Sequence, residues 1–347
     1  MFKRVFSVFA FVVLSSLPAL AADAVGFREL TLPDSGGARA LDVALWYPSD
    51  DAQAPTLFGD NPAFVGVPVV RDAAMRPGRY PLVVLSHGYS GNWSNEAWLA
   101  SVLVGQGYVV AAANHPGTTS RDMNPSDGAR LWQRPRDISH VIDGIMADLA
   151  LSGALDPERV AVIGHSLGGW TAMAVAGGRF DADIFEADCN AHAELAACVV
   201  YHRLGAGRDA ESRAALGQDL KDWRVKAVVS LDLGLARGFD PESLAAIDLP
   251  VLVIAAGAPN PELPAALESR FLADHLPAAR TRYVEIADAA HFSFLPVCKP
   301  GGVALLEEDV PGDGIICRDG GGRDRATIHS QVAELVMAFL AEALGQD

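Results

Sequence analysis

The chain has 347 residues, half of them apolar, and carries a formal net charge of −16. An acidic chain without a basic stripe is a poor match for nucleic acid or for anionic lipid, so we expect neither partner. The length and the apolar content suit one large α/β domain.

The N-terminus has the pattern of a secretory signal peptide. Lys3 and Arg4 precede an apolar run that is short for a bilayer span, and a small-x-small cleavage site ends at Ala21. We therefore predict a signal peptide over 1–21 and an exported catalytic domain over 22–347, periplasmic or secreted, without stable membrane insertion. An uncleaved anchor is the alternative.

Short apolar runs alternate with helical patterns along the rest of the chain. The runs predict strands at 41–47, 80–85, 108–113, 159–163, 225–231, 251–256 and 281–286. Apolar residues at helical spacing predict helices over 138–149 and 328–340. This alternation predicts an α/β fold, with a mostly parallel central sheet and helices on both faces.

The fourth predicted strand leads into Gly164-His165-Ser166-Leu167-Gly168-Gly169, and a run of small residues typical of a helix follows. Strand, Gly-x-Ser-x-Gly and helix in succession form the nucleophile elbow, in which a strained serine projects its Oγ clear of the sheet. Side chains at 164 and 168 would collide with neighbouring elements. We therefore predict Ser166 as a nucleophile and His165 as structural, its side chain aimed away by the turn. A glycine-rich surface turn is the alternative.

A serine nucleophile needs a base and an orienting acid, which follow it along the chain in folds with this elbow. His291 lies in a loop just after the last predicted strand, where an imidazole can reach the serine, so we predict it as the base. For the acid we favour Asp232, because it ends a buried strand and needs a partner there. Glu262, after the following strand, is the rival.

The loop after the second predicted strand contains Ser86-His87-Gly88-Tyr89. Such a loop supplies one backbone donor of an oxyanion hole, and the residue after the nucleophile supplies the other. We therefore predict that the N–H groups of Tyr89 and Leu167 form the hole. Aromatic residues near these motifs are candidates for an apolar substrate pocket, with plain core packing as the alternative: Trp93, Trp170, Phe292 and Phe294.

All four cysteines lie in the predicted exported part, where disulfides are expected. Proximity favours the pairs Cys189–Cys198 and Cys298–Cys317, and free buried thiols are the alternative. The first pair falls in 178–224, a segment that we predict as a partial cap over the site or a peripheral decoration. The second falls in a loop-like insertion at 297–325. The sequence predicts no metal site.

Together these motifs resemble the α/β-hydrolase superfamily. More narrowly, the chain is similar to bacterial dienelactone hydrolase-like proteins related to plasma-type platelet-activating-factor acetylhydrolase. The similarity extends to Leu45-Trp46-Tyr47-Pro48, Asn114-His115-Pro116-Gly117 and Arg134-Pro135-Arg136-Asp137-Ile138. It adds weight to Asp232 as the acid. True dienelactone hydrolases use a cysteine nucleophile, so the resemblance does not carry over their substrate.

The expected activity is hydrolysis of carboxylic esters through a Ser166–His291–Asp232 triad and an acyl-enzyme, without a cofactor. A small or lipid-like ester is the expected substrate. A polyester depolymerase of cutinase type and an amidase or peptidase share these residues and stay open. The alternative outside enzymes is a catalytically silent binding module of the same fold. The sequence leaves the oligomeric state open.

Overall fold

The fold was taken from a computed structural model that describes residues 24–34, 39–148, 151 and 153–345. The predicted signal peptide at 1–21 lies outside the described residues. The strands are β1 Ala24–Leu32, β2 Leu41–Ser49, β3 Thr56–Phe58, β4 Val67–Arg71, β5 Tyr80–Ser86, β6 Val109–Ala113, β7 Leu155–His165, β8 Val225–Leu231, β9 Val251–Ala256 and β10 Thr281–Ile286. All the strands predicted from the sequence are among them.

Helices connect most of these strands. They are α1 Ala97–Gly105, α2 Pro125–Gly128, α3 Gln133–Ala147, α4 Leu167–Ala176, α5 Ala182–Ala191, α6 Ala196–Leu204, α7 Ala210–Leu216, α8 Pro241–Ala245, α9 Ser269–His275, α10 Gly302–Asp309 and α11 Arg325–Leu344. Short 3-10 helices lie at Ala236–Gly238, Ala278–Arg280, His291–Phe294 and Asp313–Cys317.

The described strands form one sheet in the order β10-β9-β8-β7-β5-β6-β2-β1-β4-β3. The six strands from β10 to β6 run parallel, and β2 joins β6 in the antiparallel sense. Strands β5, β6, β8 and β9 and the second half of β7 are almost continuously buried, as expected for parallel strands covered on both faces. The predicted fold class is therefore confirmed.

Alternate residues of each central strand face opposite layers. In β5, Leu82 and Val84 pack into one buried cluster, whereas Val83 and Leu85 pack into the other. Helices α3 and α4 cover the first face, and α1 and α11 cover the second. The parallel strands thus present their carboxyl ends at one edge, where ligands bind in open α/β sheets.

Both predicted disulfides, Cys189–Cys198 and Cys298–Cys317, are present and therefore confirmed. The segment 178–224 is helical, containing α5, α6 and α7, and packs beside the loops after β8 and β9. Ala196 N–H, for example, donates to the backbone oxygen of Glu262 at 2.7 Å. The segment 297–325 contains α10 and a 3-10 helix.

Candidate active site

Ser166 lies at the sharp turn between β7 and α4. Its φ of 55° and ψ of −120° are rarely adopted by a residue with a side chain. The turn requires glycine on both sides, because a Cβ on Gly164 would lie 1.9 Å from Gly168 O and one on Gly168 would lie 1.7 Å from Ser86 O. The strained backbone is also held by a 2.9 Å hydrogen bond from Ser166 N–H to Leu231 O. The structure thus has the geometry of a nucleophile elbow.

His291 brings its imidazole to this serine from the loop after β10. Its Nε2 lies 3.1 Å from Ser166 Oγ, and its Nδ1 lies 2.7 Å from Asp232 Oδ2. The hydroxyl can therefore donate to Nε2 while Nδ1–H donates to the carboxylate. This arrangement can move the serine proton to the imidazole and stabilise the resulting positive charge.

Asp232 follows β8 directly and is nearly fully buried, with a positive φ of 43°. Its Oδ1 accepts a 2.9 Å hydrogen bond from Ala256 N–H, which leaves Oδ2 for His291. The rival acid, Glu262, is exposed on the loop after β9. The carboxylate that the structure pairs with His291 is that of Asp232.

The loop after β5 lies against the serine on its other side. A Cβ built on Gly88 would come within 3.1 Å of Ser166 Cβ, so the peptide leading to Tyr89 runs directly beside the nucleophile. Leu167 is the first residue of α4, where backbone N–H groups have no acceptor within the helix. Backbone of both segments thus lies next to Ser166, and the oxyanion hole of Tyr89 and Leu167 stays a prediction.

His165 does more than fill space behind the elbow. Its Nε2 lies 2.9 Å from His291 O, and the two imidazole rings are 4.7 Å apart. Burial lowers the pKa of His165 well below its usual value, so the ring is neutral and Nε2–H can donate to that oxygen. Through this hydrogen bond the side chain supports the loop that carries His291.

The predicted aromatic lining needs correction at three of its four positions. Trp170 and Phe294 are fully buried, and Trp93 is 4% exposed. Trp170 packs against aromatic core residues beneath α4, and Arg121 covers the ring of Trp93. These rings belong to the two cores, so they do not line an open pocket.

Phe292 is the half-buried member of that set, and its ring lies 5.0 Å from the His291 ring in an edge-on arrangement. It is therefore the one predicted pocket residue that the structure leaves accessible beside the imidazole.

A buried polar network behind the oxyanion loop was not predicted from the sequence. Ser86 Oγ lies 3.0 Å from His115 Nε2, whose Nδ1 lies 2.9 Å from Asp137 Oδ2. Arg134 donates into the same network, and Arg39 binds Asp137 through two 2.7 Å hydrogen bonds. The sequence motifs around His115 and Arg134 contain its residues, but the sequence analysis used them only as evidence of family resemblance.

Among the described residues, one cluster of acidic and cysteine side chains has the spacing of a metal site, but it cannot bind a metal. Asp188, Cys189 and Cys198 are close together, but the two sulfur atoms are joined in a disulfide and are not free to bind a cation. Within the same part of the chain, no helix is both long and apolar enough to cross a bilayer.

Two family models match parts of the chain. Residues 93–192 match the prolyl oligopeptidase family, and residues 53–121 match platelet-activating factor acetylhydrolase, isoform II. Among curated relatives, cutinase est2 of Thermobifida alba is 31% identical over 104 residues, or 29% of this chain and 32% of that protein. Cutinase 2 of Thermobifida cellulosilytica is 30% identical over 104 residues, which are 29% of this chain and 36% of that protein. The matched region thus spans about a third of these relatives.

A solved structure is similar over nearly the whole chain. The ferulic acid esterase from Streptomyces cinnamoneus superposes with a TM-score of 0.63 at 20% identity, covering 96% of this chain and 93% of that one. At this identity the likeness establishes the fold, which is that of an α/β-hydrolase.

Proposed function

We propose that this protein is a serine esterase that hydrolyses carboxylic esters through an acyl-enzyme on Ser166. One observation carries the proposal: a strained elbow serine, an imidazole and a buried carboxylate joined by hydrogen bonds of 3.1 Å and 2.7 Å. The similarity to proteins named cutinase and ferulic acid esterase supports an ester as the substrate class.

In the first step, Ser166 Oγ attacks the ester carbonyl while His291 Nε2 takes its proton. The N–H groups of Tyr89 and Leu167 stabilise the negative oxygen of the tetrahedral intermediate. Asp232 stabilises the imidazolium, which then protonates the departing alcohol. Water, deprotonated by the same imidazole, releases the acid in the second step. The half-buried ring of Phe292 would contact the substrate next to His291.

Two other substrate classes have an observation in their favour. The cutinase matches support a polyester, and the prolyl oligopeptidase match over 93–192 supports a peptide bond. A polyester film, a soluble ester of the same monomers and a matched amide, assayed in parallel, separate the three. The ester proposal requires the soluble ester to be the best substrate by kcat/KM.

Export completes the proposal. A signal peptide at 1–21 would deliver the single catalytic domain to a compartment in which the two disulfides persist. Intact mass measurement of the protein secreted by its host should show a chain beginning near residue 22. A mature chain that retains Met1 would contradict this part of the proposal.

The central experiment replaces Ser166 with Ala and measures hydrolysis of short p-nitrophenyl esters. We expect kcat to fall by about a thousandfold or more, because the nucleophile is lost. Ser330→Ala, an exposed serine on α11, is the matched control and should keep wild-type turnover. Undiminished turnover by folded Ser166→Ala would refute the proposal, whereas absence of turnover in the wild-type chain would favour a binding module.

A further inference from the structure

Arg134, in the first turn of α3, carries a positive charge in the interior, where it is only 1% exposed. Its guanidinium bonds to groups on three different segments. Nε donates to Thr171 Oγ1 at 3.0 Å, Nη1 donates to Thr118 Oγ1 at 2.5 Å, and Nη2 donates to both Ser86 Oγ and His87 O. Such a fork of fixed donors sets the relative positions of the groups that it joins.

One arm of the fork reaches the helix that follows the nucleophile. Thr171 Oγ–H donates to Leu167 O at 3.0 Å while the same oxygen accepts from Arg134 Nε. Arg134 is therefore one side chain away from the first residue of α4. That residue carries one of the two N–H groups of the proposed oxyanion hole.

The other arm reaches the loop that carries the second N–H group. Arg134 holds the carbonyl oxygen of His87, and His87 Nδ1 lies 2.7 Å from Gly88 O. Gly91 N–H also donates to Gly88 O, at 3.1 Å. Because C=O and N–H of one trans peptide point in opposite directions, holding Gly88 O on this side directs Tyr89 N–H to the other.

The tautomer of His87 fits this role. Its Nε2 accepts a 3.1 Å hydrogen bond from His115 N–H, so the proton must be on Nδ1, where it donates to Gly88 O. Burial lowers the pKa of His87 well below its usual value, which keeps the ring neutral. The ring therefore holds the peptide in one orientation.

We propose that Arg134 is a positioning residue of the oxyanion hole. Its guanidinium ties the loop before Tyr89 to the helix that begins at Leu167, and so fixes the separation of the two donors. The inference rests on the proposed esterase function. It assigns a reaction-specific task to a buried charge that the proton-transfer chain of Ser166 does not use.

Thr171 offers the sharpest test, because loss of its hydroxyl removes the hydrogen bond to Arg134 Nε without removing a charge. Thr171→Val keeps the shape but loses the hydroxyl, whereas Thr171→Ser keeps the hydroxyl. We expect Thr171→Val to lower kcat about 10-fold to 100-fold with KM within about threefold, since the donors act mainly on the transition state. Thr171→Ser should restore most of the rate.

A boronic acid that forms a tetrahedral adduct with Ser166 supplies a second readout. Its inhibition constant should rise by the same factor by which kcat/KM falls in Thr171→Val, because adduct and transition state use the same donors. Arg134→Lys, which keeps the charge but not the fork, should show the same pattern. Arg136→Lys, an exposed arginine two residues further along α3, is the matched control.

The outcomes separate the two proposals. Wild-type kcat and boronate affinity in folded Thr171→Val, or a loss confined to KM or to thermal stability, would overturn the positioning role alone. Undiminished hydrolysis by Ser166→Ala would overturn the esterase proposal and the positioning role with it. If Arg134→Lys does not fold, the Thr171 pair still decides.

Discussion

The two carboxylate oxygens of Asp232 accept hydrogen bonds from two different donors, Ala256 N–H and His291 Nδ1–H. Ala256 N–H fixes Oδ1, so the carboxylate cannot rotate away from the imidazole that Oδ2 accepts from. The positive φ of 43° indicates that the surrounding structure holds a conformation that an isolated aspartate would avoid. Such strain is typical of positions that serve a site.

Asp232→Asn should therefore keep the fold and lose the chemistry. The amide cannot stabilise the imidazolium and favours the wrong tautomer of His291, so kcat should fall by about 10⁴. The measurement is steady-state hydrolysis of a p-nitrophenyl ester, with circular dichroism to show that the fold is retained. Glu262→Gln is the control and should remain active; the reverse result would make Glu262 the acid.

The sequence places Ser166, Asp232 and His291 correctly at strand ends because each is preceded by a recognisable apolar strand. It fails for Trp170 and Phe294, because nearness along the chain does not reveal which face of the sheet an aromatic ring covers. The Arg134 network was equally hidden, since its members come from five segments that meet only in the folded chain. Proximity in sequence is a weak guide to a pocket.

At the level of elements, the segment 297–325 is anchored in two ways. The disulfide Cys298–Cys317 closes a separation of 19 residues. Arg325, buried at the start of α11, donates to Pro296 O and Ile316 O at 3.0 Å and 2.7 Å. The disulfide thus closes the segment on itself, and the hydrogen bonds of Arg325 fasten it to the start of the last helix.

Replacing Cys298 and Cys317 together with Ala should lower the free energy of unfolding by about 3 kcal/mol, through the greater freedom of the unfolded chain. Urea unfolding without reductant measures this. The disulfide Cys189–Cys198 closes a loop of about half the length, so the double variant Cys189→Ala, Cys198→Ala is expected to lose about 0.6 kcal/mol less. An unchanged unfolding curve for the first variant would show that Arg325 suffices as the anchor.

The strands that the sequence analysis missed are β1, β3 and β4, at the far side of the sheet from β10. β1 buries only Gly26, Phe27 and Leu32, and β3 has three residues. Short or half-exposed strands lack the continuous apolar run that marks the central parallel strands. β1 pairs with β2, β4 with β1 and β3 with β4, and local sequence patterns do not encode such pairings.

At the scale of the whole molecule, buried titratable groups make the free energy of unfolding fall on both the acid and the alkaline side of a maximum. Burial lowers the pKa of His87, His115 and His165 well below 6.5, so the unfolded chain takes up protons first as the pH falls below about 6.5, and stability declines. Burial raises the pKa of Glu96 and Glu268 from 4.5 to about 8. The folded chain then keeps protons that the unfolded chain releases, so the contribution of these two carboxyls to stability falls as the pH rises from about 4.5 to about 8. It opposes the contribution of the three histidines below about pH 6.5 and acts without it above that pH.

Glu268→Gln should remove part of the alkaline decline, because the amide keeps an oxygen for the 2.8 Å hydrogen bond from Ala236 N–H and has no proton to release. Between pH 6.5 and 8, the slope of unfolding free energy against pH should become less negative by up to about 1.4 kcal/mol per pH unit. Urea titrations at several pH values measure it. Exposed Glu334→Gln controls for the lost charge, and an unchanged slope in Glu268→Gln would contradict the prediction.

The buried arrangement of Ser86, His115 and Asp137 has a consequence for how this chain meets covalent reagents. By distances alone it resembles the set at Ser166, yet Ser86 is completely buried, whereas Ser166 is partly exposed. An organophosphorus compound should therefore add once per chain, at Ser166. Two adducts per folded molecule would mean that the interior opens far enough to admit a bulky electrophile.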